Sequence, residues 1–248
     1  MMFAVTDPTS EGSRMPVQPL RAAPIRTFEP TLPVVGHERL LRMQGYSNLE
    51  RVRPAISGAA FDMARRAEGL SQPKVAYRYL PVHALDAQSV QVSTGGRLHS
   101  RAFQSRLSGC IEIVPFVLSC GAEIGKVVID LAERGDLLEA VLLETAGWLC
   151  IEDATRQFKD LLRQETAAQG CRITSRMGPG YAYRVDGEDV SWPLEDQVEL
   201  FRLFGEGQLP VALMTSCAMN PKLSRSGLFG VAPLYTHAFE AASPGTLN

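Results

Sequence analysis

Arg176-Met177-Gly178-Pro179-Gly180-Tyr181 is followed, ten residues on, by Trp192-Pro193-Leu194-Glu195-Asp196-Gln197. A guanidinium, a glycine turn and a tyrosine thus stand just ahead of a short amphipathic helix. The guanidinium can grip a carboxylate through two parallel hydrogen bonds, and a glycine lets the main chain come close to a ligand. Tyr181 adds a hydroxyl and a ring face. These residues suit a small zwitterion. By spacing alone they also read as a turn carrying a solvated charge.

The chain around this stretch places strands on either side of a helical block. Upstream, Ile173 to Ser175 leads as a strand into the Arg176 turn, and downstream Leu209 to Met214 and Arg225 to Val231 supply the last strands. Pro193, Glu195 and Asp196 suit a first helical turn, with Leu194, Val198, Phe201 and Phe204 inward. The helical block precedes them. Gly121 to Glu133 reads as one helix ending at Arg134-Gly135, and Asp136 stands three residues before Glu139 as a capping-box start for a long second helix. Its apolar stripe runs through Leu137, Val141, Trp148, Ile151, Ala154, Phe158 and Leu162. Glu152 and Asp153 interrupt it, and taken alone they form a solvated helix edge.

Further upstream, Val75 to Val82 and Ser89 to Ser93 are β-rich runs, Thr94-Gly95-Gly96 marks a turn, and Ile111 to Ser119 is an apolar run of strand length. Pro115 within the last points to an edge or a bulge. Val52, Ile56, Ala59, Ala60, Met63 and Ala67 recur at helical spacing behind Pro54, which fits a first helical turn. The pattern implies an α+β domain, helices packed on a mainly antiparallel, curved sheet, over residues 35–235. Residues 1–34, with six prolines and no apolar period, read as a flexible arm, and 236–248 as a fraying tail.

Composition closes several other doors. Of 248 residues, 25 are basic and 27 acidic, and the basic ones form no block, so neither nucleic acid nor an anionic membrane is indicated as a partner. Five cysteines with no C-x-x-C pair imply reduced thiols and no zinc site. With no basic region ahead of an apolar run and no membrane-length apolar stretch, the reading expects a cytoplasmic protein. The four histidines are scattered, and no P-loop, G-x-S-x-G or dinucleotide loop is present. No catalytic residue is therefore named, and the chemistry would reside in bound small molecules.

Arg-x-x-Pro-Gly-Tyr, the Trp-Pro-Leu-Glu-x-Gln helix and then Met219-Asn220-Pro221-Lys222-Leu223-Ser224-Arg225-Ser226-Gly227-Leu228-Phe229-Gly230 together resemble the activation domain of cobalamin-dependent methionine synthase. The chain is more closely similar to free-standing proteins built from that domain alone. Leu40 to Tyr46 and Leu137 to Leu162 extend the likeness, which runs from about His37 to Val231. The resemblance implies S-adenosylmethionine as ligand. Arg176 would bind the methionyl carboxylate, Gly178 and Gly180 would give backbone contacts, Tyr181 would lie beside the ligand, and Glu152 would meet the α-amino group or the sulfonium. It further implies cobalamin carried by a separate corrinoid protein or split methionine synthase, and a reducing partner such as a flavodoxin or ferredoxin. The activity would be reactivation, the methylation of cob(II)alamin after one-electron reduction; a binding accessory that docks without turnover is the alternative. The sequence holds no cobalamin-binding D-x-H-x-x-G segment, no homocysteine-binding zinc cysteines and no folate barrel, so a complete methionine synthase is not expected. Two departures stand out. The link Ala182 to Ser191 is longer than the Gly-Asp link of free-standing relatives, and an acidic ligand residue expected near the start of the fused domain has no counterpart.

Overall fold

Every residue of Glu112–Ser119 is buried, so this strand needs cover on both faces and partners on both edges. The computed structural model, which describes residues 24–234, supplies both. In chain order its elements are β1 (Arg26–Phe28), α1 (His37–Met43), α2 (Pro54–Leu70), β2 (Lys74–Tyr77), β3 (Leu80–Leu85), β4 (Ser89–Val92), β5 (Arg97–His99), α3 (Ala102–Arg106) and β6 (Glu112–Ser119). Then come α4 (Glu123–Arg134), α5 (Leu137–Ala167), β7 (Cys171–Ile173), β8 (Ala182–Val185), β9 (Glu188–Ser191), α6 (Gln197–Arg202), β10 (Ala212–Leu213), β11 (Met219–Asn220) and β12 (Ser224–Pro233).

On one edge β6 pairs with β12 over eight registered positions, and β12 pairs in turn with β7; on the other edge β6 pairs first with β2 and then with β3. β1 extends the sheet beyond β2, and β4 and β5 extend it beyond β3. All of these ladders are antiparallel. Because one edge of β6 passes from β2 to β3 at a corner, and the β3–β4 register shifts between Val82 and Ala84, the sheet curls.

The alternation of β6 assigns its two faces. Val114, Phe116 and Leu118 meet α1, α2, α4 and α5 in one core, where Phe116, Phe158 and Phe229 pack with ring centroids 5.2–6.1 Å apart. Ile113 and Val117 meet a second core built from β3, β4, β5, α3, α6, Met177 and Trp192. The α+β architecture with a curved antiparallel sheet is therefore as the sequence implies.

Four local expectations are corrected. Pro115 lies in the central strand: its carbonyl accepts from Arg78 N at 3.3 Å, so its missing N–H points to the corner between β2 and β3, where no ladder bond is needed. Residues 24–34, assigned to a flexible arm, supply strand β1; Arg26 pairs with Glu165, Thr31 N and Oγ1 both donate to Gln157 Oε1 at 2.9 Å, and Pro30 and Pro33 are buried. Asp136 precedes α5 without a side-chain capping bond. Leu137, Val141 and Leu194 face solvent; Ile151, Ala154, Phe158 and Leu162 of the expected α5 stripe are buried, and Ala140, Leu143, Ala146 and Cys150 continue it toward the start of the helix. Expectations for residues 1–23 and 235–248 lie outside the described residues.

Candidate functional site

The segment after β7 is held by the far end of β12. Met177 and Leu228 exchange two backbone hydrogen bonds, of 2.9 and 2.8 Å, and a Cβ on Gly227 would lie 2.2 Å from the Met177 carbonyl oxygen. Only a glycine tolerates that approach. Beyond it, Gly180 takes a left-handed conformation with φ of +82°, its N–H donates to Trp192 O at 2.8 Å, and Trp192 N–H donates back to Tyr181 O at 2.9 Å. The turn is thereby closed on the Trp192 motif.

That motif is an anchor. Trp192 is fully buried, meets Phe103 edge-on at 4.9 Å, and donates its indole N–H to Asp196 Oδ2, which also accepts from His99 N. The neighbouring Gln197, also buried, accepts from Ser226 Oγ and donates to the Cys217 carbonyl, tying α6 to β12 and to the segment before it. The ten-residue link is a hairpin, β8 and β9 joined at Asp186 and Gly187, both with positive φ as a type I′ turn demands. It braces the glycine turn: Tyr183 hydroxyl accepts from Gly178 N at 2.7 Å and donates to Gly178 O at 3.0 Å.

Within this frame the residues singled out from sequence come together. The Arg176 guanidinium lies 4.8 Å from the centre of the Tyr181 ring, a cation–π contact. Its Nη1 is buried and has no hydrogen-bond partner among the described residues. Gly178 lies against it, since a Cβ there would stand 3.2 Å from Nη1 and 3.4 Å from the Tyr181 ring. Glu152, on α5, is half exposed and accepts from Arg225 Nη2 of β12. The hydrogen bond from Arg225 holds the Glu152 carboxyl below its usual range against the opposing pull of burial, and the charges of Arg225, Arg176 and Arg39 lower it further. A guanidinium and a carboxylate thus stand close enough for their charges to interact, the pair of opposite charges that a zwitterionic ligand requires. Tyr181 is exposed.

Sequence reasoning gave no role to Tyr183, and it placed Gln197 and Arg225 within motifs without assigning either a function. An arginine in the otherwise small and apolar run Ser224 to Gly230 was the available sign for the last. Cys217 supplies a backbone carbonyl, and all five cysteines are free; burial pushes the Cys120 thiol up to about 11 and that of Cys150 up to about 12. No metal-binding group of side chains occurs among the described residues, and none of their helices is long and apolar enough to cross a membrane. An apolar cleft of about 340 Å³ between α4, α5 and Asn220–Leu223 contains none of the residues named for the ligand.

No family model matches the sequence, and no curated protein matches it. Among solved structures, a crystal structure of the MetH reactivation domain bound to AdoHcy aligns with a TM-score of 0.62 over 88% of this chain and 82% of that one, at 13% identity. The fold is that of a reactivation domain. At this identity the likeness establishes architecture, and the curled antiparallel sheet with its covering helices is common to both.

Proposed function

We propose that this reactivation-domain-like protein binds S-adenosylmethionine and supports reductive methylation of cobalamin held by a separate protein. The observation that carries the reading is the buried Nη1 of Arg176, without a hydrogen-bond partner among the described residues, beside Gly178 and Tyr181, with the Glu152 carboxylate close enough to feel its charge. An unsatisfied guanidinium nitrogen is costly to bury, and a ligand carboxylate would relieve it once the Tyr181 ring shifts. Glu152 offers the complementary charge for an ammonium or sulfonium. That the aligned reactivation domain is bound to AdoHcy supports a nucleoside-amino-acid ligand here as well.

No general acid or base is needed in this reading. The partner's cobalamin, reduced by one electron from a flavodoxin- or ferredoxin-like donor, takes the methyl group, and this chain holds the sulfonium in line with it. S-adenosylhomocysteine is the product left in the groove.

Titration calorimetry tests the first half: wild type should show one saturable site for S-adenosylmethionine, and Arg176→Ala should weaken it about tenfold or more, the scale of a charge-assisted hydrogen bond. Absence of binding at millimolar ligand rejects the reading. The second half is tested with a corrinoid protein in its cob(II)alamin state and a low-potential reductant. A methylcobalamin spectrum should appear only when this protein and S-adenosylmethionine are both present; docking and ligand binding without methyl transfer would make it a binding accessory.

A further inference from the structure

Arg225 is 9% exposed, which is unusual for an arginine outside a built site. Its guanidinium is held from two directions by one helix. Nη1 donates to Thr155 Oγ1 at 3.0 Å, and Nη2 donates to Glu152 Oε1, one turn earlier on α5. Thr155 is itself fixed, because its hydroxyl proton goes to Ile151 O at 2.6 Å and leaves a lone pair toward Arg225. The neighbouring carboxylate does not compete: Asp153 is engaged by Arg156 and by Gln157 Nε2. A fork seated on Thr155 therefore aims at Glu152 alone, and a lysine could not span both partners in one plane.

This matters because Glu152 is long and 47% exposed in its side chain, so unaided it would sample many rotamers. Only Oε1 is used by Arg225. We propose that Arg225 is a positioning residue that locks the Glu152 carboxylate with its second oxygen turned to the ligand's α-ammonium, while Arg176 takes the α-carboxylate. The amino-acid head is then read at both ends. The inference rests on the S-adenosylmethionine reading above. The charges of Arg225 from β12, Arg176 from the segment after β7 and Arg39 from α1 all lower the Glu152 carboxyl. Removing Arg225 takes away the largest of their effects.

Two measurements test this on the whole chain. The first compares S-adenosylhomocysteine with 5′-methylthioadenosine, which has the nucleoside and thioether without the amino-acid head. Arg225→Met should lose about tenfold or more for the former and leave the latter unchanged; Arg225→Lys should not restore it. The second follows the Glu152 carboxyl carbon by NMR in the ligand-free protein. Its titration should move to higher pH in Arg225→Met, and the acid limb of S-adenosylhomocysteine binding should move with it. Thr155→Val, which keeps both charges and unseats the fork, serves if Arg225→Met does not fold, and should reproduce the selective loss for the headed ligand. Equal weakening of both nucleosides, or an unmoved Glu152 titration, overturns the role of Arg225 while leaving the ligand reading intact. Failure of wild type to bind either nucleoside overturns the ligand reading, and the presentation of Glu152 to an ammonium falls with it.

Discussion

At the scale of single residues, Tyr183 shows how the β8–β9 hairpin braces the Arg176 turn. Its hydroxyl both accepts from and donates to Gly178, the residue lying against the Arg176 guanidinium. Tyr183→Phe should therefore weaken S-adenosylmethionine binding about threefold to tenfold, the range of one or two neutral hydrogen bonds, and lower the melting midpoint by about 2–4 °C for each kcal/mol those bonds contribute. An unchanged affinity in calorimetry would show that the turn is rigid without it. Glu112 poses a different problem, since it is 4% exposed on β6 and its Oε1 has no hydrogen-bond partner among the described residues. Burial pushes its carboxyl up from the ordinary 4.5, against a weaker opposing pull from Arg26. With the folded value above the unfolded one, its contribution to stability is complete below the unfolded value and lost as pH rises through the folded value. Glu112→Gln should accordingly raise the melting midpoint at pH 7 by ~2 °C or more, and the gain should vanish on acidification below the ordinary carboxyl value. Glu152 slopes the opposite way, because Arg225 lowers it: its contribution is present above 4.5 and lost as pH falls.

Elements differ in how openly the sequence announces them. α2 begins at Pro54, α4 ends at Gly135 and β4 stops before Thr94, each where local turn chemistry puts it. The Arg176 turn was legible for the same reason, since glycines, proline and arginine carry their geometry with them. What stayed hidden depends on tertiary partners. Pro115 is compatible with a central strand only because the partner strand turns a corner opposite it, and Glu152 is held by an arginine 73 positions away. β1 is the clearest case: three residues of a proline-rich stretch become a strand because β2 has a free edge, and Phe28 packs on Phe158 with ring centroids 6.4 Å apart. Deleting residues 1–34 should thus lower the melting midpoint by roughly 5 °C or more relative to deleting residues 1–23, given about 2–4 °C per kcal/mol in a chain of this size. Equal midpoints for the two truncations would mean that the edge strand contributes nothing to the fold.

For the molecule as a whole, the decisive feature is that β6 and β12 belong to both cores at once. Every residue of β6 is buried, its even positions on the helical side and its odd positions on the other, so neither core can lose its packing without exposing the back of the other. Unfolding should therefore be one cooperative event, and the chain carries its own reporters: it has two tryptophans, Trp148 packed on the helical core and Trp192 buried in the second. In Trp148→Phe the remaining indole reports the second core, and in Trp192→Phe it reports the first. Within each variant the fluorescence transition in urea should coincide with the loss of far-UV circular dichroism, in midpoint and in slope. Trp192→Phe will shift the common midpoint downward, since it trades a fully buried indole and its bond to Asp196 for a smaller ring. That shift must appear equally in the signal of Trp148, on the far side of the sheet. A Trp148 transition that stays at its wild-type position while the circular dichroism moves would show two separately folding halves, and would make the Arg176 turn, which hangs from β12 and the Trp192 motif, a local structure that can melt by itself.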